Sequence, residues 1–160
     1  MNPSSAESVG GIVLGAGTSS RFGPANKLLA TIDGTPMIRR VAAIAAESGL
    51  DELVAVLGHE ASAVAGTLSG LQISTTYNAD YAAGQSGSVR RGVEFARDSG
   101  WDAALVLLGD MPFLSATTID RLIAAYCSGS GSIVAPEYDG QRGNPVLFAR
   151  EHFDQLAAVS

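Results

Sequence analysis

The sequence predicts an α/β protein of three layers, with a mostly parallel sheet covered by helices on both faces. Three observations predict it. Short apolar runs at Ile12 to Leu14, Leu53 to Leu57 and Ala103 to Leu108 alternate with segments of helical period. The runs are continuously apolar, as strands buried on both faces are, instead of alternating with polar residues. The first run breaks into a glycine-rich loop, which is how many such folds leave their first strand. At 160 residues and 46% apolar, the chain is long enough to bury the core of one domain.

The first strand, Ile12 to Leu14, leads into Gly15-Ala16-Gly17-Thr18-Ser19-Ser20, followed by Arg21 and Lys27. The two glycines remove Cβ atoms that would keep backbone N–H groups from closing around an anion. Arg21 offers a planar fork of donors and Lys27 a compact point charge. Lys27 is the only lysine in the chain, so its place here carries weight. The glycines alone fit either a tight strand-to-helix turn or a phosphate site, and the two cations favour the phosphate site. No Gly-Lys-Ser/Thr triplet completes a Walker loop, and Ser20 stands where a dinucleotide fingerprint needs its third glycine, so a nicotinamide site is a weak reading.

Residues Thr31 to Pro36 read as a turn, with Pro36 in the first turn of a helix that runs to about Glu47 and ends before Gly49. Met37, Val41, Ile44 and Ala45 share one face of it. The second strand, Leu53 to Leu57, is followed by Gly58-His59 and a short helix around Ala61 to Leu68. A weakly alternating third strand, Gln72 to Tyr77, suits a position near the sheet edge. The stretch from Asn78 to Gly92 is a strand end, a Gly/Ser turn and a helix running from about Ser88 to Arg97. Its start offers N–H groups and hydroxyls to a base or a phosphate, and Ser86 or Ser88 can equally serve as an ordinary cap. Asp80, Arg90 and Arg91 fit solvent as well as substrate.

The most hydrophobic strand, Ala103 to Leu108, ends in Gly109-Asp110-Met111-Pro112. A carboxylate past the end of a central strand lies in the crevice where open α/β sheets bind ligands. Asp110 is therefore a candidate ligand for Mg²⁺, which prefers one or two carboxylates together with phosphate oxygens and water. From the residues alone it fits equally well as a carboxylate ahead of a helix capped by Ser115. Ser128 to Ser132 is a loop, and Gly140 to Phe148 reads as a turn entering a buried strand. His59 and His152 show no ligand-like spacing to each other or to Cys127 and read as packing or surface residues, while Cys127 reads as a small buried or half-buried side chain and not as a nucleophile.

The formal net charge of −6 argues against non-specific nucleic-acid binding and leaves room only for a local basic pocket. The single cysteine forbids an intrachain disulfide. Residues 1–9 read as a disordered tail without a signal pattern, and no apolar run approaches the ~20 residues of a membrane span. The expected compartment is the cytoplasm, with no membrane partner.

Four of these blocks carry a family resemblance. Leu14-Gly15-Ala16-Gly17-Thr18-Ser19-Ser20-Arg21-Phe22-Gly23 with Lys27-Leu28-Leu29 resembles the L-A-A-G-x-S-x-R-M-G-x-x-K-L-L signature of MobA-like nucleotidyltransferases. Leu108, Asp110 and Pro112 match the family's L-x-D-x-P. The Asn78 to Gly92 segment is similar to N-x-x-Y-x-x-G-x-S-x-S-L-x-x-G of the molybdenum cofactor cytidylyltransferases, and Gly140 to Phe148 to G-x-x-G-N-P-V-L-F. Gly15 and Phe22 depart from the usual alanine and methionine, without loss of a donor or a charge. Ala16 leans toward cytidine, since guanylyl-transferring relatives usually carry L-A-G-G.

The resemblance implies a Rossmann-like nucleotidyltransferase (GT-A-like) fold over residues 10–160 and transfer of CMP from CTP to the terminal phosphate of molybdopterin, with Mg²⁺ as cofactor. It implies a nucleotide on Leu14, Gly15, Ala16, Gly17, Thr18, Ser19, Arg21, Lys27, Asn78, Gly84, Ser86 and Ser88. Arg21, Lys27 and Asp110 would be catalytic, Asp110 the metal ligand, and Arg142, Gly143, Asn144 and Pro145 the acceptor wall. A molybdoenzyme client is a further implied partner. Rival readings are guanylyl transfer, another phosphorylated acceptor such as a sugar phosphate, and a non-catalytic module that hands on the cofactor. The family continues past the helix near Glu151 to Ala158 into G-D-x-G-x-R, with a second acidic residue near the metal. The sequence stops at Ser160 before that segment, so it reads as shortened, as working with fewer carboxylates, or as inactive.

Overall fold

The computed structural model describes residues 7–17, 26–111 and 114–158. Six strands form the main sheet: β1 (Val9–Gly15), β4 (Glu52–Leu57), β5 (Ser74–Tyr77), β6 (Ala103–Leu108), β7 (Ile133–Val134) and β10 (Val146–Ala149). Their spatial order is β5-β4-β1-β6-β10-β7. The first four run parallel, while β10 pairs antiparallel with both β6 and β7. As expected, the third strand lies at an edge, and it is shorter than the sequence suggests, Ser74–Tyr77.

The alternation of side chains along β1 divides the core into two. Val9 and Val13 pack with Ile38, Val41 and Ala45 of α1 (Met37–Glu47), Val64 of α2 (Ala61–Thr67), and Ile119 and Leu122 of α4 (Ala116–Cys127). Ile12 and Leu14 face the other way, onto Val93 and Ala96 of α3 (Gln85–Asp98) and Phe153 of α5 (Phe153–Ala158). The result is the three-layer α/β/α arrangement. Two hairpins sit outside it: β2 (Thr31–Ile32) with β3 (Thr35–Pro36), and β8 (Glu137–Tyr138) with β9 (Gln141–Arg142). The first turns through Asp33 and Gly34, both at positive φ, and so makes a hairpin of the expected turn. Pro36 caps α1 at φ −56°.

The sequence places the tail boundary too late. Val9 already belongs to β1, is buried, and donates its N–H to Asp51 Oδ2 at 2.9 Å. Ser8 donates its N–H to Asp102 Oδ2 at 2.8 Å. Parallel pairing with Ala103 draws Val9 into the ladder, where an unpaired buried N–H would be costly. At this same end Trp101 is buried over Gly10, where any Cβ would strike its ring, and its Nε1 donates to Glu52 Oε1 at 2.8 Å. Tyr126 donates its hydroxyl to the Asp102 carbonyl, and burial, with Glu7 beside it, pushes the phenol above its ordinary range. The amino end of the sheet is thus closed by packing, leaving the carboxyl end for chemistry.

Helix α3 rides on β1 at Gly92, where a Cβ would collide with Ile12 Cγ2, a buried branch set close to the backbone. Gly92→Ala should therefore destabilise the protein by about 1–3 kcal/mol, because overpacking outweighs the roughly 1 kcal/mol gained from helix propensity. Chemical denaturation would show the lowered midpoint; an unchanged or raised midpoint would mean that α3 lifts off β1 at no cost.

Candidate active site

The site begins where β1 and β6 end side by side, with Leu14 opposite Leu108. The loops that follow both strands therefore leave from one end of the sheet, the usual ligand crevice of such folds. They approach closely: Gly109 donates its N–H to the Leu14 carbonyl at 3.0 Å, and a Cβ on Gly109 would stand 2.7 Å from that same oxygen. Gly15 is buried for a similar reason, since a Cβ there would meet Ile38 Cδ1 at 2.6 Å. Leu14 and Ala16 are buried as well, whereas Gly17 is exposed with open space around it. Of these four expected nucleotide contacts, only Gly17 is exposed. Thr18, Ser19 and Arg21 lie outside the described residues.

Lys27 is placed by its neighbours. Asn26 is buried and its Oδ1 accepts the Leu28 N–H at 3.0 Å, which starts a single helical turn over Lys27–Leu29. Leu28 is drawn into the core, so Lys27 projects the other way. Its Nζ lies 3.4 Å from Asp110 Oδ2, joining residues 83 apart in sequence. Their side chains are 44% and 42% exposed, open enough for both to reach a ligand. The structure thus brings together the loop glycines, the lone lysine and the carboxylate after β6.

The Asn78 to Ser88 block is organised differently from expectation. Asn78 and Ser88 are both buried, at 4% exposure, and the Asn78 amide donates to Ser88 Oγ at 3.0 Å while its Oδ1 accepts the Asp80 N–H. These hydrogen bonds tie the end of β5 to the first turns of α3 and so position the turn between them. The helix begins at Gln85, three residues before the expected start, and its cap is Gly84 at φ 125°, without a side-chain capping bond. Neither Ser86 nor Ser88 caps it. Gly84 is exposed and Ser86 half-buried, so the first turn of α3 keeps its N–H groups for another acceptor.

The residues expected to form the acceptor wall lead into the same end of the sheet. Val146 pairs with Val106 in antiparallel register, so the chain leading into β10 comes from the carboxyl end of β6. Within it the Asn144–Pro145 bond is cis, Pro145 is buried and Asn144 exposed. Gly143 donates its N–H to the Pro136 carbonyl at 2.8 Å, and a Cβ there would press on the Tyr138 ring. Arg142 is exposed and lines a cavity of about 270 Å³ with Ile133, Ala135, Pro136 and Glu137.

Asp110 is a single carboxylate, and no group of three or more His, Cys, Asp and Glu side chains that could hold a metal occurs among the described residues. That donor set suits a Mg²⁺ already held by phosphate oxygens, in place of a metal caged by protein alone. Gly58, Gly109 and His59 border the site and were not marked by the sequence as part of it. A glycine directly after a strand is the signal for the first two.

Residues 11–160 match the MobA-like NTP transferase domain. The chain belongs to that family. Among curated proteins it is 32% identical over 127 residues to nicotine blue oxidoreductase of Paenarthrobacter nicotinovorans, covering 79% of this chain and 61% of that one. It is 30% identical over 122 residues to the bifunctional protein GlmU of Agrobacterium fabrum, covering 74% of this chain and 26% of the relative. The chain therefore spans between about a quarter and three fifths of these relatives' lengths. Among solved structures, Rv0371c of Mycobacterium tuberculosis H37Rv superposes with a TM-score of 0.84 at 28% identity, over 97% of this chain and 78% of that one. A complex of Rv0371c with manganese gives 0.76 at 27% identity, over 96% and 77%. Among the described residues, no helix is long and apolar enough to cross a membrane.

Proposed function

We propose that this MobA-like domain transfers CMP from CTP to the terminal phosphate of molybdopterin and releases pyrophosphate. The observation that carries the transfer chemistry is the meeting of Lys27 with Asp110 at the end of the sheet where β1 and β6 finish. The choice of cytidine and of molybdopterin rests on Ala16 and on the motif blocks at Asn78 to Gly92 and Gly140 to Phe148. An acceptor phosphate oxygen attacks the α-phosphorus, the bond to the bridging α–β oxygen breaks, and the electron pair leaves with pyrophosphate. No covalent enzyme intermediate is required; positioning and charge neutralisation do the work.

The chain's residues divide that work. The Gly17 backbone and Arg21 hold the triphosphate, and Lys27 stays on the departing pyrophosphate. Arg142, at the exposed end of its hairpin, holds the acceptor's phosphate in line. Asp110 fixes the position of a divalent cation, Mg²⁺ by preference, which when bound neutralises charge across the phosphates. The manganese complex of Rv0371c supports a divalent cation in this family.

A second reading has another phosphorylated acceptor, such as a sugar phosphate. A third, a redox reaction, is favoured by the name of nicotine blue oxidoreductase, 32% identical to this chain. Against the redox reading stands Ser20, in place of the third fingerprint glycine. Melting curves with Mg²⁺ and CTP, GTP, ATP, UTP or NADH separate these, since ligands that bind only the folded state raise the melting temperature. CTP alone should raise it, and pyrophosphate should then appear with molybdopterin. A shift with GTP alone would point to guanylyl transfer, and one with NADH alone to redox chemistry. Binding of CTP without pyrophosphate from any acceptor would make the domain a carrier.

A further inference from the structure

The turn after β4 carries a second constellation, on the opposite flank of the β1 loop from Asp110. Gly58 sits so close that a Cβ there would lie 2.5 Å from Tyr81 Cβ and 2.9 Å from Ala16 Cβ. His59 donates its backbone N–H to the Ala16 carbonyl at 3.3 Å. Its imidazole stands 5.9 Å from the Tyr81 ring, centroid to centroid, inclined at 48°, and its Nε2 lies 3.3 Å from Glu60 Oε1. Glu60 adopts a left-handed backbone, φ 52° and ψ 42°, which residues bearing a Cβ reach only at a cost. It precedes α2 yet gives that helix no side-chain cap; its carboxylate goes to His59 instead. Both rings are half-buried, and neither belongs to the two core clusters.

Packing alone does not account for this arrangement. β1 is flanked by β6 on one side and by β4 on the other. Lys27 and Asp110 put the phosphates on the β6 side of the loop. A nucleotide whose phosphates lie there extends its ring across Ala16 toward β4 and β5, where His59 and Tyr81 stand.

We infer that His59 and Tyr81 form the wall on which the donor's flat heterocyclic ring packs, with Glu60 holding the imidazole in place. This inference rests on the nucleotide-transfer reading. Aromatic surfaces hold flat rings by offset or edge contact whatever the base, so the wall supplies affinity for the ring and none for the phosphates.

The test is calorimetric titration of wild type, His59→Ala and His59→Phe with Mg²⁺ plus each of CTP, GTP, ATP and UTP, and with Mg²⁺ plus inorganic tripolyphosphate. His59→Ala should weaken the preferred nucleotide about tenfold, leave tripolyphosphate within about twofold, and raise KM for the nucleotide without a matching fall in kcat. His59→Phe should restore most of the affinity. Equal losses for nucleotide and tripolyphosphate would overturn the inference, since His59 would then only brace the loop. Unchanged nucleotide affinity in His59→Ala would overturn it while leaving the transfer reading intact. A wild-type protein that binds tripolyphosphate but no nucleotide would overturn both.

Discussion

Lys27→Ala is expected to lower turnover by about 10²–10³-fold, the loss typical when one preorganised donor to developing charge is removed. The same substitution should leave the fold intact. Lys27 is half-exposed and pairs with the equally exposed Asp110. An ion pair in that setting contributes about 0–1 kcal/mol to stability, so the melting temperature should move by no more than about 4 °C. Asp110→Asn removes the other half of the constellation and should reduce turnover comparably, with steeper dependence on Mg²⁺ concentration. Since the two side chains touch each other, the double variant should lose less than the product of the two single losses. Pyrophosphate release at saturating nucleotide, with melting curves as the control for folding, reads all three variants. Turnover within a few-fold of wild type in Lys27→Ala would remove Lys27 from the chemistry and with it the main support for the transfer reading.

The layers of the fold were legible because buried parallel strands and amphipathic helices leave strong local patterns. Ala103 to Leu108 states its structure in its own residues; on α1 the expected face of Met37, Val41, Ile44 and Ala45 is met at Val41 and Ala45, while Ile38 and Ala42, not Met37, complete the buried side. What the sequence obscured depends on contacts between distant segments. Val9 looks like part of a polar tail until Ala103 and Asp51 supply its partners. That Asn78 and Ser88 are buried and joined by a hydrogen bond across ten residues is likewise visible only in the folded chain. The start of α3 was missed because Gly84 caps it without a side chain, leaving no Ser, Thr or Asp signal to read. The approach of His59 to Tyr81, twenty-two residues on, is also set by the fold and leaves no spacing in the sequence.

Gly109→Ala should be the most damaging change of a single methyl group at the site. Its Cβ would lie 2.7 Å from the Leu14 carbonyl oxygen, 3.1 Å from Leu28 Cδ2 and 3.5 Å from Ile38 Cδ1. The first of these is strand backbone already bonded to the Gly109 N–H, so relief requires the ends of β1 and β6 to separate. Overpacking of this kind costs about 1–3 kcal/mol. The functional loss should be larger than the stability loss suggests. Asp110 is the next residue, and a displacement of about 1 Å from the reacting geometry can cost ~10²-fold in rate. Gly143→Ala is the matched control. Its Cβ meets the ring of Tyr138, which is 56% exposed and can swing outward, so its midpoint should fall less. Denaturation midpoints and steady-state pyrophosphate release on both variants decide the matter. If Gly109→Ala keeps wild-type stability and turnover, then the close approach of the two loops is not what sets Asp110 against Lys27, and the site's geometry is held from elsewhere.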